Sequence, residues 1–358
     1  MKRLFIVASL AIMAIACQKT EVQNEVLTPI GFNTEVGKAT KAIVLDQEDY
    51  KVDQPFAVYA YSHQTIEETE TVHTVMSNVQ ISKQSNDWKA TEGSYYWPND
   101  PRTKMNFYAY SPVLGNGETD KEINGVITHS EPVTADGKTT GGLTLTGYVH
   151  KNMFVDFMVS DDALNCTYTS TNGVVPVAFN HKMTQVVFNV KTSEDYSGAV
   201  FTIKSIKLQN IKNTANYNTY SDWTGQSGKA EYTVFSGTQI VSNTADADLE
   251  TVPVTMIPQT IVRAATEAES GKDTYATETS AQMFEITYTI GGTGVAHETV
   301  VKHVPFLAYA AADATEKDTT PNWASNQKIT YNVTIGFNEI KFNPTVKGWE
   351  TASDSYVF

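Results

Sequence analysis

The segment TGQSGKA (224–230) is the nearest approach in the sequence to a nucleotide-binding loop. Such a loop holds phosphates with backbone N–H groups, a lysine and a hydroxyl ligand to magnesium, at the spacing G-x-x-x-x-G-K-[ST]. Here the first glycine is missing at that spacing, and Ala230 stands where the hydroxyl is needed. The sequence therefore predicts no nucleotide site and no cofactor.

Two histidines, His297 and His303, are expected on the same face of one strand, because they are an even number of residues apart. They lie far apart along that strand, and no carboxylate or thiol stands at ligand spacing from them. We therefore expect exposed hairpin histidines and no metal site.

Three further polar or nucleophilic residues stand alone. Asp156 interrupts the apolar run FVDFMV and must find hydrogen-bond donors, because an unpaired buried carboxylate is costly. His181 in FNHKM is expected to be hydrogen-bonded rather than a general base, and Cys166 in NCTYTST is expected to be inert. No G-x-S-x-G, H-E-x-x-H or C-x-x-C occurs. The sequence predicts no catalytic residue and no enzyme, with a secreted hydrolase as an alternative class.

The chain begins with an export signal. A basic start, MKR, is followed by an apolar stretch over 4–15 that is too short to span a bilayer. The stretch closes on AIAC, which resembles a lipobox. We expect a signal peptide over 1–16, lipidation of Cys17 and a polar tether over 17–26. The alternative is an ordinary signal peptide cut near Ala16.

Composition limits the class of partner. The 358 residues carry a formal net charge of −14, which excludes nucleic acid and an anionic membrane surface as electrostatic partners. Hydrophobic residues make up 41% and charged residues 18%, so the chain can bury cores. Its 18 tyrosines and 15 phenylalanines, with many threonines and valines, favour strands.

Short apolar runs bounded by turn residues predict an all-β protein built of β-sandwiches. The run KNMFVDFMVS (151–160) predicts a central strand, and GGTG (291–294) predicts a hairpin turn. The composition turns polar around NCTYTSTNG, which predicts a boundary near Gly173. We expect an N-terminal domain over 27–172 and a C-terminal domain over 173–358.

The C-terminal segment alternates apolar and polar residues over an unusual length. The apolar residues of this pattern are Tyr331, Val333, Ile335 and Phe337, then Ile340, Phe342, Pro344 and Val346. Period-two alternation predicts extended strand, and the change of phase after residue 338 predicts a bulge or a bend. Chain ends usually fray, so a long apolar strand there invites a functional explanation.

In its ordered set of motifs the chain resembles the fimbrillins, the Mfa-like subunits of type V pili. The motifs run over nearly the whole mature chain; they are SYYWPND, KMNFYAYSP, FVDFMVS, VPVAFNHKMTQVVFNV, TVPVTMIPQ and WASNQKITYNVTIGFNEIKFNPTVKGWE. Trp323, a polar turn and a tyrosine-containing strand that closes on Trp349 resemble the family most.

The resemblance implies two tandem transthyretin-like Greek-key β-sandwich domains behind a lipoprotein signal peptide. It implies an outer-membrane lipoprotein from which a protease removes the first strand, emptying a groove that the C-terminal strands of another subunit fill. Subunits then polymerise head to tail in a fimbria with a role in adhesion. The donor would span about 328–358 and present Tyr331, Val333, Ile335, Phe337, Ile340, Phe342, Val346 and Trp349. The displaced strand would carry Ile30 and Phe32.

Several alternatives stay open at this point. Lys41 or Lys38 is the candidate cleavage site, although some relatives are cut after arginine; both lysines are otherwise solvated loop charges. An uncut, lipidated chain would suit an anchor at the filament base. Within the same family, the alternative to a stalk subunit is a tip, anchor or accessory subunit. The C-terminal strands could instead complete the chain's own second domain. From another class, a glycan-binding lipoprotein would use an aromatic platform formed by Trp88, Trp97, Trp223 and Trp323.

Overall fold

The computed structural model describes residues 27–36, 54–196, 198–243, 249–267, 269, 272–307, 322–337 and 340–349. Within them the protein is almost entirely β, as the sequence predicts, with one short helix, α1 (Tyr168–Thr171). No helix in this part of the chain is long and apolar enough to cross a bilayer.

Twelve strands lie in the first half of the chain: β1 (Gly31–Val36), β2 (Phe56–Ile66), β3 (Thr69–Gln84), β4 (Asp87–Ala90), β5 (Lys104–Ser111), β6 (Val113–Leu114), β7 (Glu122–Ile123), β8 (Val126–Ala135), β9 (Lys138–Val149), β10 (Met158–Ser160), β11 (Ala163–Cys166) and β12 (Val174–His181). The rest follow it: β13 (Thr184–Thr192), β14 (Ala199–Ile211), β15 (Thr214–Asn218), β16 (Asp222–Ser227), β17 (Ala230–Val241), β18 (Leu249–Glu250), β19 (Val254–Met256), β20 (Met283–Gly292), β21 (Val295–Pro305), β22 (Gln327–Ile335) and β23 (Ile340–Gly348).

The N-terminal strands form a closed ring. Neighbours run β10-β12-β1-β4-β3-β2-β5, and β5 pairs again with β10, so the path returns to its start. Closure pairs every strand on both sides and leaves no long open edge. The interior holds an apolar core that includes Ile30, Phe32, Phe56, Phe107 and Phe179.

A second core lies between the outside of this ring and a sheet of four strands in the order β16-β15-β9-β8. Tyr59 and Tyr108 face it from the ring, and Leu145, Tyr217 and Trp223 face it from the smaller sheet. The aromatic load of the sequence is therefore used mainly to fill the space between layers.

The C-terminal part is a sandwich of two sheets around a third core. One sheet has the order β18-β13-β22-β23, with β19 also on β13, and the other has the order β17-β14-β20-β21. Phe188, Phe201, Phe284 and Tyr331 lie between them, each at most 1% exposed. The predicted GGTG turn is confirmed, because it joins β20 to β21.

Two strands on the C-terminal side of the predicted division at residues 172 and 173 pair across it. β12 joins the N-terminal ring, where it pairs with β1 and β10, and β15 pairs with β9. The apolar run over 175–190 is thus two strands, β12 and β13, that lie in different sheets. The domain division near residue 173 stays a prediction. Two strands on its C-terminal side, β12 and β15, pair with strands of the N-terminal sheets.

A buried histidine lies where these layers meet. The Nε2 of His150 donates to the carbonyl of Thr255 at 2.6 Å, so its Nδ1 accepts from the Tyr148 hydroxyl at 2.9 Å. Burial lowers the pKa of His150 to about 4, so the ring is neutral at physiological pH. This histidine cross-links two layers and has no free nitrogen for chemistry.

Two local predictions are wrong. In the run over 151–160 only β10 is extended, because the side chain of Asn152 accepts from Phe154 N at 3.0 Å and its carbonyl accepts from Val155 N at 3.1 Å, which makes a turn. The alternation on either side of residue 338 belongs to two antiparallel strands, since Ile335 of β22 pairs with Ile340 of β23, so it is not one strand with a bulge.

Candidate functional site

The residues that could take part in catalysis or ligand binding are scattered over the fold, and most of them are engaged in hydrogen bonds or core packing. The segment over 224–230 ends β16, turns at Gly228 and begins β17. No helix follows it, so it lacks the helix N-terminus that holds a phosphate in a nucleotide-binding loop. Its resemblance to such a loop has no structural basis.

The two C-terminal histidines have different environments. His297 is exposed on β21, as predicted. His303 is not exposed: its Nδ1 lies 2.7 Å from Asp273 and its Nε2 lies 3.3 Å from Glu285. The described residues contain no group of three or more His, Cys, Asp or Glu side chains arranged to hold a metal ion.

Asp156 is hydrogen-bonded to His181. Its Oδ2 lies 2.7 Å from Nδ1 of His181, so the carboxylate accepts a hydrogen bond from the imidazole. The His181 ring stacks on Trp349, with centroids 4.0 Å apart and planes at 5°. This trio attaches the residue after β23 to the N-terminal ring through β12.

The other side chains of interest lie in cores. Cys166 is buried in β11, and burial raises the pKa of its thiol, which disfavours the reactive thiolate. The four tryptophans proposed as a glycan platform are at most 7% exposed; they are Trp88, Trp97, Trp223 and Trp323. A stacking platform needs exposed rings, so the glycan-platform prediction is wrong for these residues.

The first strand is packed closely into the ring. Ile30 and Phe32 are each 5% exposed, and the ring of Phe32 meets Phe56 and Phe107 edge to face at 6.0 and 6.1 Å. Both side chains project into the interior core. The two side chains therefore lie on one buried face of β1 and the residue before it.

β1 is attached mainly along one edge. It runs parallel to β12 over six residue pairs, from Gly31 opposite Val174 to Val36 opposite Phe179. On its other side, one antiparallel pair joins Phe32 to Trp88 of β4. Without β1 the ring would open between β12 and β4, and the apolar side chains beneath would be exposed.

The two C-terminal strands differ in position. β22 lies between β13, to which it is parallel over nine pairs, and β23. Tyr331, Val333 and Ile335 are at most 1% exposed, and all three pack in the chain's own sandwich. For these residues the donor assignment is replaced by its alternative, in which they complete the chain's own second domain.

β23 is an edge strand. It pairs with β22 over nine residues, and no described strand pairs with its other side. Ile340 packs partly against the sandwich core, whereas Val346 is 38% exposed. Trp349 is 7% exposed, and Phe337 is 46% exposed beside Tyr196, with ring centroids 4.6 Å apart.

Several predicted sites lie outside the described residues. They are the signal peptide, Cys17, the tether, Lys38 and Lys41. The side chain of Phe342 also lies outside them.

Sequence reasoning missed the one-sided attachment of β1 and the closed ring that β1 completes. No local signal marks a strand as the closing member of a ring. Closure depends on the pairing of β5 with β10, two strands that are about fifty residues apart in the sequence. The sequence did offer one signal: residues 30–36 and 340–346 share isoleucine, phenylalanine, asparagine and valine at the same spacing.

Comparison with known proteins gives a family and a fold. The model of the fimbrillin-like family matches residues 40–349. A crystal structure of a fimbrial protein from Bacteroides vulgatus has a TM-score of 0.56 at 20% identity, covering 90% of this chain and 99% of that one. A Bacteroides uniformis protein has a TM-score of 0.46 at 16% identity, covering 90% and 98%. No curated protein matches the sequence.

Proposed function

Because the chain belongs to the fimbrillin-like family, we propose that it is a structural, non-enzymatic subunit of a cell-surface fimbria that polymerises by strand exchange. In this scheme β1 is removed from one subunit, and a strand at the C-terminus of the next subunit replaces it. A head-to-tail contact of this kind does not close on itself and therefore produces a filament.

The position of β1 is the observation that carries the proposal. β1 closes the ring, and it and the preceding Ile30 supply two buried apolar side chains, yet β1 has an extended ladder on one side alone. Its removal would leave the edge of β12 unpaired next to exposed Trp88, Phe56 and Phe107. An open edge beside an apolar slot is a strong site for strand addition, because backbone hydrogen bonds give affinity and side-chain pockets give specificity.

The donor in this proposal is β23, without β22. Removing β22 would take Tyr331, Val333 and Ile335 out of the subunit's own core, and loss of a single large core side chain already costs about 2–5 kcal/mol. β23 is paired on one side and leaves Val346 exposed, so it can leave its sheet at lower cost. We therefore restrict the predicted donor to residues from 340 onward.

Release of β1 requires a cut in the chain between β1 and β2. We propose cleavage after Lys41 or, as the second choice, Lys38, both in that connection. We also propose that the precursor reaches the outer membrane as a lipoprotein acylated on Cys17. N-terminal sequencing of filament protein would detect the cut, and a mature chain that begins at Cys17 would indicate an anchor subunit instead.

Deletion of residues 340–358 tests the proposal. We expect the truncated protein to melt cooperatively and to form no filaments by negative-stain microscopy of sheared surface material. A full-length Phe342→Asp variant is the milder test, because it places a carboxylate in the apolar slot of the neighbour. Normal filaments from the truncated chain would overturn the proposal, and an unfolded truncated chain would assign β23 to the subunit's own stability.

A further inference from the structure

The first strand and the last described strand carry the same residues at the same spacing. Residues 30–36 read IGFNTEV, and residues 340–346 read IKFNPTV. Four of the seven positions are identical, namely those of isoleucine, phenylalanine, asparagine and valine. The first copy is Ile30 followed by β1, a strand of the closed ring, and the second lies in β23, on the edge of the C-terminal sandwich.

We infer that β23 of a second copy takes the place of β1 in one register and one direction, parallel to β12. This inference rests on the proposed function and specifies the geometry of its contact. Ile340 then stands in the position of Ile30, Phe342 in that of Phe32, and Val346 in that of Val36.

The buried positions of β1 set the register. Ile30 and Phe32 are almost completely buried, so an incoming strand must present an isoleucine and a phenylalanine two residues apart. A shift by one residue would turn Lys341 into the core, since a strand alternates its faces. A shift by two residues in either direction would separate the phenylalanine from the Phe32 position.

The position of Gly31 can hold the lysine of the donor. A Cβ atom built on Gly31 would meet its nearest atoms, the carbonyl oxygen of Gly173 and a methyl of Val174, at 3.7 Å. That is an ordinary van der Waals separation, and the side chain would leave on the outer face of the ring. Lys341 therefore fits where β1 has glycine.

The position of Thr34 can hold the proline of the donor. Gly31 N donates to Gly173 O beside β12, whereas Ile30 N donates to Tyr95 O on the other side. Because N–H groups alternate along a strand, the N–H of Thr34 points away from β12. Pro344 in that position would remove no hydrogen bond from the β1–β12 ladder, although proline inside a strand normally does.

A variant of the full-length chain tests the fit without any filament. The triple change Gly31→Lys, Thr34→Pro and Glu35→Thr makes residues 30–36 identical to residues 340–346. We expect a melting temperature within about 3 °C of wild type. The matched control is Gly31→Lys, Asn33→Pro and Glu35→Thr, which moves the proline to an N–H that points at β12. It should melt at least about 6 °C lower. Equal melting temperatures for the two triple variants would overturn the inference.

Disulfide trapping in filaments tests the register between copies. Glu35 lies opposite Ala178, so Thr345 of the neighbour should take that position. With Cys166→Ser as background, the full-length pair Ala178→Cys and Thr345→Cys should give a ladder of multimers in a non-reducing gel. The control pair Ala178→Cys and Lys347→Cys should give none, because the two Cα atoms would be about 8 Å apart.

The outcomes separate the register from the proposed function. A ladder from the control pair, or filaments in which neither pair cross-links, overturns the register and leaves strand exchange standing. If the wild-type chain forms no filaments, the proposed function fails, and the inference fails with it. If the Thr345 pair blocks assembly under reducing conditions, the pair Val174→Cys and Lys341→Cys tests the same register four residues earlier along the strand.

Discussion

β22 and β23 are neighbouring strands of nine residues with the same alternation, yet they have opposite roles in the sandwich. β22 is paired on both sides, and its inward side chains from Ile329 to Ile335 are at most 1% exposed. β23 is paired on one side, and Val346 on its apolar face is 38% exposed. The alternation that looks like one long strand is one strand paired on both sides, followed by one edge strand.

The difference teaches that alternation specifies a strand but not the number of its neighbours. The apolar residues of β22 meet the opposing sheet, and its backbone lies beside β13. β23 lies at the border of the same sheet, where its sole described backbone partner is β22. The sandwich core therefore depends more on β22 than on β23.

The largest effect should come from β22. Tyr331 is fully buried, it stacks on Phe188, and its hydroxyl accepts from Nε1 of Trp323 at 2.9 Å. Tyr331→Ala would leave a cavity and an unpartnered indole N–H, so we expect a loss of about 3–5 kcal/mol in the free energy of unfolding. Denaturant titration measures this loss. The control is Thr330→Ala on the other face, and a loss below about 1 kcal/mol for Tyr331→Ala would place β22 among the replaceable strands.

A smaller effect should follow from the end of β23. Trp349→Ala removes the ring that stacks on His181 and fills part of the second core. The cost is limited by the local detachment of an edge strand, so we expect about 2 kcal/mol. Hydrogen exchange should speed up in β23 amides and in the β22 amides that point at β23, and it should stay unchanged in the β22 amides that point at β13, with Lys347→Ala as the exposed control. Faster exchange in the β22 amides that point at β13 would show that the two strands unfold as one unit.

The sequence predicted the fold class because β-branched and aromatic residues alternate between turn signals, as in β20 and β21 around GGTG. It could not assign sheets. The run over 175–190 is mostly apolar, but β12 closes a ring while β13 is a parallel strand with Val186, Val187 and Phe188 at 0% exposure. The polar residues from Asn180 to Lys182 interrupt the run, yet a local interruption does not show which sheet each flanking strand joins, because that depends on partners distant in the sequence.

The candidate site was predictable in part, where apolar and polar residues alternate. Ile30 and Phe32 alternate with polar residues, and that pattern was enough to place them on one buried face. Asp156 and His181 could not be paired from the sequence, because they are 25 residues apart and meet only through the fold. The tryptophans were ambiguous, since an exposed platform and a packed core use the same residue type.

The smallest effect on the single subunit should come from Val346, and this is where the two strands should differ most in a filament. Val346→Ala trims a side chain that is already 38% exposed, so the free energy of unfolding should change by no more than about 0.5 kcal/mol. In the inferred register, however, the same residue stands opposite Phe179 of the neighbouring subunit, in the position of Val36. Filaments of the variant should therefore dissociate at a lower guanidinium concentration than wild-type filaments, whereas the outward-facing control Thr345→Ala should not shift dissociation. Unchanged filaments with an unchanged subunit would remove Val346 from the contact and leave Ile340 and Phe342 to hold the donor.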